Sequence, residues 1–260
     1  MNARFPVPLK ASLLGLIGFG FVSASALSAQ VTLDALGDAY VKDGASAGSN
    51  TGGSSVLEVA ARGTGNDRKI YLSFDVSTLP YSSYSGSSLS LTLSSLLGTA
   101  DGNVSISFYA ITDSTPTFDQ STITWNNAPK NVTDNFIEFS DVGTTALGSV
   151  SIDTTSASIN GTVVTLQGAA LDTFLDWATG NLGDYYGTGA TSATDGKVTI
   201  MISMTAISTP YEPGFRFYSS EGATVDFSGP QLTAIPEPSA SSYGLAALAL
   251  GLVLYLRRKK

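Results

Sequence analysis

The residues best suited to chemistry in this 260-residue chain are aspartates and tyrosines, because it contains no histidine and no cysteine. These two absences exclude Ser-His-Asp and Cys-His catalysis, ligation of zinc by histidine, and disulfide bonds. The groups that remain are carboxylate oxygens, which suit hard cations and sugar hydroxyls, and aromatic rings, which suit the apolar faces of sugars.

Five aspartates at predicted turns and strand ends are candidate ligands of a structural calcium ion: Asp38, Asp43, Asp67, Asp75 and Asp226. Calcium binds carboxylate oxygens well, but these residues lack the spacing of an EF-hand. Aspartates in turns also accept hydrogen bonds from backbone N–H groups. A calcium site and a purely structural role therefore both stay open. Two interpretations also stay open for Asp67, Arg68 and Asp75, which flank one strand: a ligand or ion site, or the charged flanks of a structural strand.

Five tyrosines in predicted loops are candidate carbohydrate-binding residues: Tyr81, Tyr84, Tyr185, Tyr186 and Tyr211. Tyrosine rings can stack on sugars, and they can also pack over the edges of a β-sandwich. Trp125 and Trp177 lie in patterned apolar segments, so we predict that both belong to the core. No hydrolase signature accompanies the acidic residues. We therefore assign no catalytic residue and predict that the protein is not an enzyme.

The stretch at residues 66–80 is predicted to be the central strand that positions these groups. Ile70, Leu72, Phe74 and Val76 alternate with Lys69, Tyr71, Ser73 and Asp75, which is typical of a half-buried strand. Similar patterns predict about twelve strands, one of them at residues 136–140. Residues 44–55 are predicted to form a Gly/Ser loop that is too polar to pack. These patterns predict an all-β fold, an antiparallel, jelly-roll-like β-sandwich.

One segment has helical rather than strand periodicity. Leu171, Phe174, Leu175 and Ala178 recur at positions i, i+3, i+4 and i+7 within residues 168–180. This spacing predicts a short amphipathic helix that ends at Gly180.

Both ends of the chain are predicted to be processing segments that flank one domain at residues 30–235. Residues 1–29 combine a basic start, an apolar run and small residues, as in a secretory signal peptide. Residues 236–260 contain Pro-Glu-Pro, a spacer, an apolar helix at 243–256 and a basic tail at 257–260. A 14-residue helix is only about 21 Å long, short for a permanent membrane anchor. The basic tail is expected to stay cytoplasmic while the domain lies outside.

The charge of the predicted domain excludes one large class of partners. Residues 31–235 hold 20 acidic and seven basic side chains, which gives a formal charge of −13. Nucleic-acid binding requires a basic surface, so no nucleic-acid partner is expected.

The C-terminal run resembles the PEP-CTERM sorting signal of Gram-negative bacteria. The matching residues are Pro236, Glu237, Pro238, Arg257, Arg258, Lys259 and Lys260, with the apolar helix between them. The resemblance implies export through the Sec translocon and only transient anchoring in the membrane by this helix. It further implies removal of the tail by an exosortase, a membrane cysteine transpeptidase, and delivery to the cell surface or the exopolysaccharide matrix of a biofilm.

The domain resembles the secreted DNRLRE domain, or disaggregatase-related repeat, which overlaps carbohydrate-binding module family 96. The motifs that carry the resemblance are DAYV at 38–41, an arginine before FDVSTLP at 74–80, TWNNAP at 124–129, FYSSE at 217–221 and PQL at 230–232. The family pattern has an arginine where this chain has Ser220. The resemblance implies a β-sandwich that binds extracellular polysaccharide. The alternatives are a structural matrix or adhesion protein without glycan affinity and, less favoured, a polysaccharide-degrading enzyme.

Overall fold

The structure is a computed structural model, and it describes residues 29–63, 65–98, 102–113, 117–135, 138–155, 159–205 and 214–237. Several sequence predictions lie outside this part of the chain, namely the signal peptide up to residue 28, Tyr211, Pro238, the apolar helix at 243–256 and the basic tail. Within the described residues, no helix is both long and apolar enough to cross a membrane.

Eleven strands and one α-helix make up the described fold. The strands are β1 (Val31–Asp34), β2 (Gly37–Lys42), β3 (Val56–Ala60), β4 (Arg68–Asp75), β5 (Ser88–Leu97), β6 (Asn103–Ile111), β7 (Thr144–Asp153), β8 (Val163–Gln167), β9 (Lys197–Met204), β10 (Gly214–Tyr218) and β11 (Gln231–Ala234). The helix α1 spans Ala169–Ala178 between β8 and β9. The predicted all-β class is confirmed.

All strand pairs are antiparallel, and they form one curled sheet in the order β1-β11-β5-β10-β3-β4-β9-β6-β7. Strand β2 also pairs with β4, and β8 pairs with β5. The start of β5 pairs with β8 and β11, whereas its end pairs with β10. Because one long strand serves both halves, the sheet folds back on itself as a β-sandwich around one main core.

The central strand β4 contributes to this core as its alternation predicts. Ile70, Leu72, Phe74 and Val76 are all buried in the main hydrophobic cluster. The prediction of a half-buried strand is wrong, however, because Lys69, Tyr71 and Ser73 on the opposite face are buried too. A second apolar cluster, which includes Tyr71, covers that face.

The cover consists of residues 117–135 and 138–139, named the outer flap here. Its Trp125, Phe139 and Ile123 pack with Tyr71 of β4 and Met201 of β9 in the second cluster. Residues 138–140 do not form the predicted strand. Phe139 makes a single bridge to Asn131, because this part of the chain folds over the sheet instead of joining its edge.

The Gly/Ser loop at residues 44–55 packs against the outer flap, contrary to the prediction that it is too polar to pack. Asn50 Nδ2 donates hydrogen bonds to Gln120 O at 2.8 Å and to Ile123 O at 2.9 Å. Gly52 is buried, and a Cβ atom there would lie 1.9 Å from Gln120 O. The absence of a side chain at Gly52 therefore permits this close approach.

The predicted amphipathic helix is confirmed. Leu171, Phe174, Leu175 and Ala178 are buried, and Gly180 terminates the helix with a φ of 85° and an N–H that donates to Trp177 O at 2.8 Å. Trp177 is itself fully buried, as is nearly all of Trp125, so the prediction that both tryptophans belong to the core is also correct.

Candidate functional site

Four of the predicted tyrosines come together beside the C-terminal end of α1. The loop before β5 and the loop after α1 meet there, since Asn181 Nδ2 donates to Ser83 Oγ at 3.2 Å and the Tyr81 ring lies beside Gly180. Tyr81 is 72% exposed and Tyr185 is 59% exposed. We name this region, consisting of Tyr81, Asn181, Asp184 and Tyr185, the tyrosine surface.

The other two tyrosines support this surface from below. Tyr84 is buried, its hydroxyl donates to Pro80 O, and its backbone N–H donates to Asp176 Oδ1 at 2.9 Å. The Tyr186 ring meets Tyr185 and Trp177 edge-on, with centroid separations of 5.0 and 5.6 Å. Burial, followed by the neighbouring Tyr185, raises the pKa of Tyr186 to about 12, so its hydroxyl stays neutral. Tyr81 and Tyr185 are thus the members able to present a ring to a ligand.

The supporting loops are held by acidic side chains. The Asp172 carboxylate accepts the N–H groups of Gly86 and Ser87 at 3.0 and 2.9 Å. The pKa of Asp176 is raised, first by burial and then by the negative charges of Asp172 and Glu237. This concentration of negative charge disfavours an anionic ligand near the tyrosine surface.

Two of the predicted aspartates, Asp43 and Asp67, lie together at the start of β4. Asp43 accepts the N–H groups of Gly65 and Asp67, each at 2.8 Å, and Asp67 Oδ1 accepts those of Arg62 and Gly63 at 2.8 and 3.0 Å. Both line a cleft of about 310 Å³ that Trp125 and Asp134 also border. Their carboxylates hold the turn that leads into β4.

The other three aspartates lie elsewhere. Asp75 caps the turn after β4 by accepting Ser77 N at 3.0 Å and Ser77 Oγ at 2.6 Å, and these hydrogen bonds lower its pKa. Asp226 is exposed, whereas Asp38 is buried and bonded to Ser220. In the part of the chain that is described, no group of three or more acidic side chains is arranged to hold a metal. The five candidates therefore do not form a common site.

The comparisons with known proteins identify the family. The model of carbohydrate-binding module family 96 matches residues 29–163, which is half of the chain and contains β1 to β7. The chain belongs to carbohydrate-binding module family 96. A comparison with curated proteins found no match.

Membership of family 96 indicates carbohydrate binding, as the resemblance predicted. The matched region includes Tyr81 and Tyr84, whereas α1, Tyr185 and Tyr186 lie outside it. The tyrosine surface is therefore built partly by the family 96 region and partly by the sequence that follows.

Lys69, within the family 96 region, is a buried cation that the alternation of β4 placed on the polar face. Its Nζ donates to Asn131 Oδ1 at 2.8 Å, Asn135 O at 2.7 Å and Glu138 O at 2.6 Å, and it lies 3.3 Å from Val132 O. Nζ also lies 4.9 Å from the centroid of the Trp125 ring. Burial lowers the pKa of Lys69 to about 7. These contacts attach the outer flap to the sheet.

Glu58 forms a second buried charge cluster that the sequence analysis missed. Its carboxylate bridges Arg68 and Arg216 at 2.7 and 2.8 Å. Glu58 and Arg216 face each other in the β3–β10 pair, and Arg68 begins β4. Arg68 thus pairs with Glu58, while Asp67 and Asp75 accept hydrogen bonds at opposite ends of β4. These contacts favour the structural interpretation of the three residues over a shared ligand site.

Proposed function

We propose that this family 96 chain is a non-catalytic polysaccharide-binding module and that the tyrosine surface contacts the glycan. The proposal rests on the family match together with one geometric observation: two exposed tyrosines, distant in sequence, lie on loops that meet at one end of the sandwich. Sugar-binding proteins use exposed aromatic rings for CH faces and nearby amides and carboxylates for hydroxyl groups. Asn181 and Asp184 supply those polar groups.

The ligand that fits this surface is a neutral or cationic glycan. Asp184 belongs to the surface, and Asp172, Asp176 and Glu237 place further carboxyl groups near the loops beneath it. A polyuronate would bring further negative charge to this end of a strongly acidic domain. We therefore expect neutral polysaccharides to be retained better than alginate-like polymers at low salt.

Affinity electrophoresis of the purified full chain through gels that contain neutral, cationic or uronate polysaccharides tests this function. Tyr81→Ala and Tyr185→Ala should each weaken retention by a bound glycan about tenfold, equivalent to about 1.4 kcal/mol. Tyr81→Phe and Tyr185→Phe are the matched controls, since they keep the ring face and remove only the hydroxyl. They should retain most of the affinity.

Each alternative function predicts a different result. If no glycan retards the wild-type protein, a structural matrix protein becomes the better explanation. If a variant that carries both Tyr81→Ala and Tyr185→Ala is retained as strongly as the wild type, glycan binds at another surface. Release of reducing sugar, or lyase absorbance from the purified protein, would instead favour a polysaccharide-degrading enzyme.

We also propose that the chain is exported and then sorted by an exosortase that recognises its C-terminal run. The start of this run is attached to the domain. Pro236 is buried and forms a β-bridge with Tyr84, and Glu237 N donates to Ser83 O at 2.7 Å. The Glu237 side chain is exposed and accessible to a processing enzyme. The destination would be the cell surface or the extracellular matrix.

Glu237→Gln tests sorting in cells that carry an exosortase. The substitution preserves the backbone contact with Ser83, so the domain should fold while recognition fails. We expect unprocessed precursor to accumulate in the membrane fraction, as seen by immunoblotting, whereas Asp226→Asn should be processed normally. Wild-type processing of the Glu237→Gln protein would count against this route.

A further inference from the structure

The Asp38 carboxyl group is buried but only partly satisfied. Asp38 is 1% exposed at the start of β2. Its Oδ2 accepts Ser220 N at 2.7 Å and Ser220 Oγ at 2.8 Å. Its Oδ1 is also buried, and within the described residues it receives no hydrogen bond. A buried carboxylate oxygen without a partner lowers the free energy of unfolding, and a bound ligand at this atom would remove that cost.

The neighbouring charged group is a second carboxylate, that of Glu221. Burial, and after it the nearby charge of Glu221, raises the pKa of Asp38 to about 6. Neighbouring like charges repel each other unless a cation or a proton lies between them. Glu221 is itself exposed, so this pair is open to solvent on one side.

Gln120 of the outer flap joins the same group. Its Oε1 accepts Asp38 N at 3.1 Å, and its Nε2 donates to Glu221 and to Gly52 O. Four separate parts of the chain thus bring oxygen atoms together: β2, the Gly/Ser loop, the outer flap and the turn after β10. Ser220 also borders a surface cleft of about 300 Å³.

We propose that Asp38 Oδ1 and the Glu221 carboxylate bind one calcium ion, with the amide oxygen of Gln120 as a neutral ligand. Calcium accepts mixed shells of carboxylate, amide and backbone carbonyl oxygens together with water. Two carboxylates therefore suffice, in keeping with the absence of a larger acidic group among the described residues. Bound calcium would tie the outer flap and the turn at 219–222 to β2.

A substitution at Ser220 can supply the positive charge without an ion. Ser220 is exposed and directly bonded to Asp38. A guanidinium group at residue 220 could pair with Asp38 and Glu221 and take the place of the ion. Ser220→Arg should therefore make the protein independent of calcium.

The test is calcium titration of the EDTA-treated full chain by calorimetry and by thermal unfolding, with magnesium for comparison. The wild type should bind one calcium ion and unfold at a higher temperature in its presence. Glu221→Gln should weaken calcium affinity by more than about tenfold. Asp226→Asn, which removes the same charge from an exposed aspartate, should bind calcium like the wild type.

Ser220→Arg should show neither calcium binding nor a calcium-dependent rise in unfolding temperature. Glu221→Gln alters an exposed side chain, so it decides the outcome even if Ser220→Arg fails to fold. A wild-type protein that binds no calcium at millimolar concentration would overturn the proposal. Equal calcium binding by the wild type and the Glu221→Gln variant would do so as well.

Discussion

Lys69 shows how one buried charge can fix a large segment of chain. Three of its oxygen partners are backbone carbonyls of the outer flap, so the side chain replaces the water that those carbonyls would otherwise bind. The rings of Trp125 and Phe139 lie 4.9 and 4.8 Å from Nζ and add cation–π attraction. The amino group of Lys69 therefore links the sheet to its cover.

Replacing this lysine should destabilise the protein strongly. Lys69→Met keeps the length and apolar stem of the side chain but leaves several buried oxygens unsatisfied. We expect a loss of about 3 kcal/mol or more in the free energy of unfolding, measured by urea denaturation. Lys42→Met is the control, because Lys42 is only partly buried, and it should change stability by less than about 0.5 kcal/mol. Equal effects of the two substitutions would contradict this role.

The same variant should change how stability depends on pH. Burial lowers the pKa of Lys69 in the folded protein to about 7, whereas the unfolded chain has the ordinary value near 10.4. Between these values the unfolded state holds the extra proton, so stability rises with pH, by at most about 1.4 kcal/mol per pH unit. The wild type should show this rise from pH 7 to 9 relative to Lys69→Met. If the free energies of unfolding of the wild type and of Lys69→Met changed equally with pH, this prediction would be wrong.

The outer flap is the element that separates the observed fold from a simple half-buried sheet. Alternation along β4 correctly identifies Ile70, Leu72 and Phe74 as core residues, but it cannot show that the opposite face is covered. That cover comes from the outer flap, which is distant in sequence and whose described residues form no helix or strand. Its apolar residues could be recognised as buried, though not assigned to a particular face.

The Gly/Ser loop holds the outer flap through Asn50, and this contact can be tested. Asn50→Ala removes two hydrogen bonds to backbone carbonyls of the flap as well as one from Gly52 N. We expect a loss of about 1–2 kcal/mol in the free energy of unfolding, since each net hydrogen bond contributes about 1 kcal/mol. Ser49→Ala, at the exposed neighbouring position, should have little effect. If both variants match the wild type, the loop does not hold the flap.

At the scale of the whole molecule, the tyrosine surface lies beside Glu237, where the chain leaves the domain. Ser83 contacts both Asn181 of this surface and the backbone of Glu237. In a precursor held by its C-terminal run, this end of the sandwich would face the membrane. Removal of the run, as proposed, would free the surface for polysaccharide. Sorting and binding would then depend on the same end of the domain.

The sequence by itself determined the secondary structure of this protein and much of its core. Period-two alternation and helical spacing depend on local geometry, so they located most strands, α1 and both core tryptophans, and the ordered motifs were sufficient to indicate family 96. Only the tertiary structure decided which polar residues meet. Asp38 with Ser220, Glu58 with Arg216, and Ser83 with Asn181 are each separated by about 100 residues or more in the sequence. Their proximity results from long-range strand pairing and loop packing, which leave no periodic signal in the sequence.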